Sequence, residues 1–213
     1  MCYTGAVQAS AVVHYFDYKS PYAYLAQAET FRLLDELGIA VEWLPYTLDI
    51  PAFLGNAQLD AAGRDIVGER NAHQWRRVRY LYMDARREAM QQGLVIRGPR
   101  KVFDSSVAHI GFLYAGERGD FRPYHQLVFE RFWRRELEIE DPAVVASVLA
   151  ESGVDPVGFT DYLASAGTAK LAAIQADAEA KGVFGVPSYL FGDELFWGNE
   201  RIAAVRERVL AGY

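Results

Sequence analysis

The residues best placed to do chemistry are Ser20 and Pro21, because of what stands on either side of them. Val12, Val13, Tyr15 and Phe16 are β-branched or aromatic, as in a buried strand, and the polar run from Asp17 to Ser20 breaks that pattern. Proline is favoured at the first position of a helix and serine at the position before it, so Ser20 is expected to cap a helix beginning at Pro21. A strand thus runs straight into a helix N-terminus with a hydroxyl at the junction. Unpaired N–H groups and the positive end of the helix dipole make such a point a binder of a thiolate, a phosphate or a carboxylate. The same residues serve equally well as a plain helix cap, and the local sequence does not choose between the two.

Other chemistries find less support. Cys2 is the only cysteine, which excludes an intrachain disulfide, a C-x-x-C redox centre and a cysteine zinc site. His14, His73, His109 and His125 show no metal-binding spacing, and neither G-x-S-x-G nor a phosphate-cradling G-x-x-x-x-G-K-[ST] occurs. Arg76, Arg77, Arg79, Arg86 and Arg87 gather on one predicted helix, either as a solvated basic face or as an anion-binding one. The formal net charge of -6 argues against nucleic acid or an anionic membrane as a general partner. No run reaches membrane-spanning length and no secretory leader is evident, so a soluble, reducing, cytoplasmic setting is expected.

The elements that would position Ser20 follow from periodicity. Half of the 213 residues are apolar, enough for one sizeable core or a domain carrying a large insertion. Residues before Ser10 read as a short leader of small and polar residues. After the first strand, Tyr24, Leu25, Ala28, Phe31, Leu34 and Leu37 recur at helical spacing until Gly38, and Ile39 to Tyr46 reads as a second strand. These three form a βαβ unit with a right-handed crossover. An irregular connection runs from Thr47 to about Gly68. Helices are then expected over Asn71–Gln92, from Ser105 or Ser106 to Ala115, Pro123–Arg135, Pro142–Glu151, Asp155–Ser165 and Thr168–Lys181. Ser188–Phe191 and Glu194–Trp197 flank Gly192-Asp193 as a hairpin, and a last helix, Glu200–Leu210, is expected to be capped by Asn199.

A βαβ unit and a ββα unit split by helices give an α/β, thioredoxin-like fold with a large helical insertion. Within it, F-D-Y-K-S-P-Y-A-Y-L-A (Phe16 to Ala26), G-V-F-G-V-P-S (Gly182 to Ser188) and F-W-G-N-E-R (Phe196 to Arg201) occur in order. The chain from about Ser10 onward resembles the 2-hydroxychromene-2-carboxylate isomerases and the kappa-class glutathione transferases, of the DsbA-like thioredoxin superfamily. The resemblance implies a thioredoxin-like domain of residues 10–50 and 182–213 and an inserted helical domain of residues 51–181.

It also implies glutathione as cofactor, with its thiol beside Ser20 as the catalytic residue, since serine takes the place of the first cysteine in the tetrad Ser20-Pro21-Tyr22-Ala23. A hydroxyl and a helix N-terminus would favour the thiolate. Pro187 corresponds to the position where thioredoxin-like proteins keep a cis proline, which leaves the Val186 main chain free to hold the cysteinyl part. Gly198, Asn199 and Glu200 correspond to the site of the γ-glutamyl end, although relatives carry Asp or Ser where Glu200 stands. Tyr22 would flank the cofactor. Lys19, Asn71 and Arg77 would face the substrate, with Arg77 where lysine is commoner. Family members are dimers, so a homodimer is expected.

The resemblance therefore points to a glutathione-dependent isomerase of an aromatic or conjugated carboxylate, working by reversible thiolate addition. A kappa-type transferase is the alternative enzyme. A non-catalytic peptide binder using the cis-proline edge is the alternative of another class.

Overall fold

The structure is a computed structural model and describes residues 12–212; the expected leader and Cys2 lie outside them. Strand β1 (Val12–Phe16) occupies an inner position of a four-stranded sheet of order β2-β1-β3-β4. It pairs in parallel with β2 (Val41–Pro45), so that Val12 meets Val41 and Phe16 meets Pro45. On its other side it pairs antiparallel with β3 (Ser188–Phe191), where His14 meets Tyr189. Strand β4 (Glu194–Trp197) closes the hairpin. Helix α1 (Pro21–Leu37) makes the crossover, and Gly38 closes it in the left-handed conformation at φ 60°. The βαβ and ββα units expected from the sequence are present, and the hairpin strands fall where Gly192-Asp193 places them.

The helical block comprises α2 (Ile50–Leu54), α3 (Ala72–Gln91), α4 (Ser106–Gly116), α5 (Arg122–Arg134), α6 (Pro142–Glu151), α7 (Phe159–Tyr162) and α8 (Thr168–Ala180), before α9 (Ile202–Ala211) ends the chain. Helix α4 is apolar all round and buried from Ala108 to Ala115, as a central core helix must be. Period-2 alternation puts Val12, His14 and Phe16 on one face of β1. There the Phe16 ring lies 4.5 Å from the His125 ring of α5 and 4.9 Å from Phe112 of α4. One apolar core therefore runs from the sheet into the inserted helices. His14 stacks on Tyr189 at 4.6 Å, and burial pushes its pKa down to about 3, so it packs as a neutral aromatic ring.

Four boundaries differ from the sequence reading. The connection after Thr47 contains α2, capped by the Asp49 carboxylate with Pro51 in its first turn. The segment expected to be helical from Asp155 starts only at Phe159, then passes through a π-helical turn, Leu163–Gly167, directly into α8. Ser105 precedes α4 without capping it, because its hydroxyl is bonded elsewhere. Asn199 is not a helix cap: a 3₁₀ turn (Asn199–Arg201) leads into α9, and the Asn199 side chain donates to Glu88 of α3. Among the described residues no helix is long and apolar enough to cross a membrane.

Candidate active site

Ser20 stands where β1 hands over to α1. Its Oγ accepts from the Ala23 N–H at 3.2 Å, so the capping role read from the sequence is real. The same Oγ donates to the Val186 carbonyl at 3.3 Å, a contact spanning 166 positions of chain. The Val186–Pro187 peptide bond is cis. The hydroxyl thus joins the helix N-terminus to the cis-proline turn, and it is only 4% exposed.

The turn that delivers Ser20 is organised by Asp17, which is fully buried. The Asp17 carbonyl accepts from the Ser20 N–H at 3.0 Å. Its carboxylate takes the Lys19 N–H at 3.0 Å and the Ser105 hydroxyl at 2.6 Å on Oδ1, and the Leu48 N–H at 2.8 Å on Oδ2. The Lys19 ammonium lies 3.4 Å from Oδ2 and donates to the Ser105 Oγ at 3.3 Å. His109 Nε2 approaches Oδ1 to 3.4 Å, close enough for attraction but not aligned as a hydrogen bond, while its Nδ1 pairs with Thr47 Oγ1 at 2.9 Å. Burial on its own would push the Asp17 carboxyl up. Lys19, His109 and the Ser105 hydroxyl outweigh it and hold the group well below the usual carboxylate range.

These groups open on a cleft of about 710 Å³ between the sheet end and the helical block. Lys19, Ser20, Tyr22 and Val186 line its floor, and Phe53 of α2 lines one wall. Six arginines and two lysines border it with no aspartate or glutamate, against the acidic balance of the whole chain. Arg77, Arg79 and Arg86 come from α3, which resolves its basic face into residues that look into the cleft and others, such as Arg76, that do not. Arg77, Arg79 and Arg100 have no acidic partner among the described residues. At the mouth, Phe184 and Trp197 are 62% and 53% exposed with rings 4.9 Å apart. A side chain at Gly185 would meet the Trp197 indole nitrogen at 2.7 Å, so glycine is what lets that ring close over the turn.

Of the residues expected from the sequence, Lys19, Ser20, Tyr22, Arg77 and Val186 share this cleft. The Tyr22 hydroxyl donates to Asp84 Oδ2 at 2.9 Å, tying α1 to α3, and burial together with that carboxylate pushes its phenol above the usual range. Asn71 is elsewhere: its side chain accepts from His73 N and Gln74 N at 2.9 Å in a capping box that starts α3. Pro187 supplies the cis bond, and its carbonyl takes the Gly198 N–H at 2.9 Å. Asn199 and Glu200 border a separate depression against α1, beside Glu29 and Arg32. The buried set of Asp17, Ser105 and His109 was missed. No local pattern pointed to it: the burial of Asp17, which makes a partner obligatory, shows only in the fold. Among the described residues no cluster of His, Cys, Asp and Glu could hold a metal ion.

Comparison with known proteins bears on the family and fold of the chain. The model of the DSBA-like thioredoxin domain matches residues 11–210. The 2-hydroxychromene-2-carboxylate isomerase of Pseudomonas putida is 29% identical over 190 residues, covering 88% of each protein. Its namesake from Sphingobium xenophagum is 27% identical, covering 88% of this chain and 92% of the relative. A solved 2-hydroxychromene-2-carboxylate isomerase superposes with a TM-score of 0.72 at 26% identity, over 94% of both chains. The cytosolic disulfide reductase DsbM of Pseudomonas aeruginosa, solved with GSH, shares the fold at a TM-score of 0.60 and 18% identity, over 94% of this chain and 98% of that one.

Proposed function

Because the chain belongs to the DSBA-like thioredoxin domain family and its curated relatives are isomerases, we propose that it is a glutathione-dependent isomerase of an aromatic or conjugated carboxylate. The observation that carries the reading is the pairing of the Ser20 hydroxyl with the cis Val186–Pro187 turn at the floor of a cleft whose charged lining residues are all cations. No cysteine stands in the tetrad Ser20-Pro21-Tyr22-Ala23, so thiol–disulfide exchange has no chemical basis there.

The residues present suit glutathione. Its thiol would lie beside Ser20, its cysteinyl main chain beside the Val186 edge, and its glycyl carboxylate among the arginines. When bound it supplies a thiolate nucleophile that adds to a conjugated carbon and is expelled again, freeing the double bond to rotate in between. Ser20 would hold the sulfur as an anion by turning its one hydroxyl proton from the Val186 carbonyl to the sulfur, at the positive end of α1. Tyr22, Pro187, Gly198, Asn199 and Glu200 complete the cofactor site in this proposal, Asn199 and Glu200 from the neighbouring depression against α1. Lys19 and Arg77 face the substrate. We reassign Asn71 to shaping α3, in keeping with its capping box. The resemblance also underlies our inference of a homodimer in the cytoplasm.

The test is the conversion of 2-hydroxychromene-2-carboxylate with and without glutathione. Turnover that requires glutathione and leaves it unconsumed supports the proposal. Net incorporation of glutathione into product would transfer the chain to the transferase class, and an absence of glutathione binding would refute both.

A further inference from the structure

The Asp17 cluster is more elaborate than a helix cap needs. A capping serine requires only its own Oγ, yet this turn buries a carboxylate and an ammonium together, an arrangement that costs desolvation on both sides. An ammonium carries three N–H donors. Among the described residues two acceptors are within reach of the Lys19 Nζ, Asp17 Oδ2 at 3.4 Å and Ser105 Oγ at 3.3 Å. One donor is left over. Lys19 keeps 8% of its surface exposed and lines the cleft floor next to Ser20. Of the other cations that line the cleft, Arg77, Arg79, Arg86, Arg100 and Arg135 are exposed and Arg70 and Lys101 are half-buried, so Lys19 differs from them in being both buried and held.

We propose that Lys19 is the oxyanion-binding residue of this site, and that Asp17 and Ser105 are positioning residues that fix its ammonium beside Ser20, with His109 packed against the carboxylate. The proposal rests on the isomerase reading for the identity of the substrate, but not for the existence of the anion site. The ligand class is a 2-oxo acid or an acid with its carboxylate or carbonyl conjugated to the double bond. Attack on such a compound opens the C=C π bond as the new bond to carbon forms, and one electron pair moves onto the conjugated oxygen. When the pair returns, the double bond re-forms and the nucleophile leaves, so no oxidant, reductant or net proton is needed. A cation already desolvated and already oriented stabilises that oxygen without reorganising, which is where fixed electrostatics act most strongly. The Ser20 hydroxyl would serve the sulfur and Lys19 the oxygen, from adjacent positions on one turn.

Ser105 allows the positioning role to be tested cleanly, because it stands at the start of α4 without capping it. Ser105→Ala should keep the helix and lose the link between Nζ and Oδ1. Lys19→Met alone would strand the buried Asp17 charge and could unfold the protein, so the companion variant is D17N/K19M, which leaves no charge unpaired. The first readout is binding of phenylpyruvate, a stable aromatic 2-oxo acid, to the glutathione-free protein by calorimetry. D17N/K19M should weaken it at least about 10-fold, the scale of one charge-assisted contact. The second is turnover of 2-hydroxychromene-2-carboxylate. There D17N/K19M should lose about 100-fold in kcat, the scale of one oxyanion donor. Ser105→Ala should lose about 10-fold in kcat with little change in the KM for glutathione. Ser105→Thr should restore most of that loss.

Unchanged phenylpyruvate affinity in a folded D17N/K19M, or no phenylpyruvate binding to the unsubstituted protein, overturns the anion site. Equal losses in the glutathione KM and in kcat for Ser105→Ala would overturn the positioning role. Intact phenylpyruvate binding without any glutathione binding would sink the isomerase reading while leaving Lys19 standing.

Discussion

Asp17→Asn should be among the most damaging single substitutions outside the apolar core, and the reason lies in the geometry of its two oxygens. Oδ1 accepts from the Lys19 N–H and the Ser105 hydroxyl, and Oδ2 accepts from the Leu48 N–H and faces the Lys19 ammonium. Whichever oxygen becomes the amide NH₂, a donor then confronts donors, and the buried ammonium loses its counter-ion. Breaking a buried ion pair by removing one partner costs about 3–5 kcal/mol. For a chain of this size each kcal/mol moves Tm by about 2–4 °C, so a fall of roughly 6–20 °C is expected. The assay is calorimetric or denaturant unfolding at neutral pH.

The pH dependence has a definite sign. The folded-state pKa of Asp17 is depressed below the ordinary 3.8, so its contribution is fully present above that value and is lost as pH falls through the lower folded one. The gap between the two proteins should therefore stay constant near neutrality and begin to close only below about pH 4. Pairing the substitution with Lys19→Met should cost less than the sum of the two single changes by at least about 1 kcal/mol. A single-variant loss below about 1 kcal/mol, or strict additivity, would show that the carboxylate is not the hub described.

Two further outcomes follow from packing and hydrogen bonding. Gly111→Ala in α4 would drive a methyl into the Tyr124 hydroxyl and within 2.8 Å of Val145 Cγ1, so a loss of about 1–3 kcal/mol is expected by thermal unfolding. Tyr22→Phe removes the hydroxyl that donates to Asp84 and should cost about 1–2 kcal/mol. Because burial and Asp84 raise that phenol, the Tyr22 contribution is fully present below the ordinary value of 10.0 and is lost as pH rises through the higher folded one. Stability curves of the two proteins should accordingly run parallel up to about pH 10 and converge only above it.

What could be read from the sequence was what is decided locally. Ser20 and Pro21 announce a cap because both preferences belong to adjacent positions, and Gly192-Asp193 sets the hairpin because turn chemistry fixes its register. Asp49 and Pro51 carried the same kind of signal for α2, which a reading of the connection as irregular passed over. Asn199 misled for a different reason: the chain enters α9 through a 3₁₀ turn, and a long-range partner, Glu88, takes the side chain that a cap would have used. The cis bond at Val186–Pro187 came from family resemblance, since a proline opening a strand looks the same in either isomer. The Asp17 hub was invisible because its partners Leu48 and Ser105 lie 31 and 88 positions away and only the folded helical insertion brings them together.

The central claim is that the Ser20 hydroxyl holds a cofactor thiolate at the end of α1. The measurement that tests it most directly is an ultraviolet titration of the thiolate of bound glutathione in the unsubstituted protein and in Ser20→Ala. A free thiol has a pKa near 8.5, and a hydrogen bond to a charged group contributes about 1.5–3 kcal/mol. The bound thiol should therefore ionise well below its free value in the unsubstituted protein, and in Ser20→Ala its pKa should rise by about 1–2 while glutathione still binds. Identical titrations in the two proteins, or no glutathione binding to the unsubstituted one, would contradict the account.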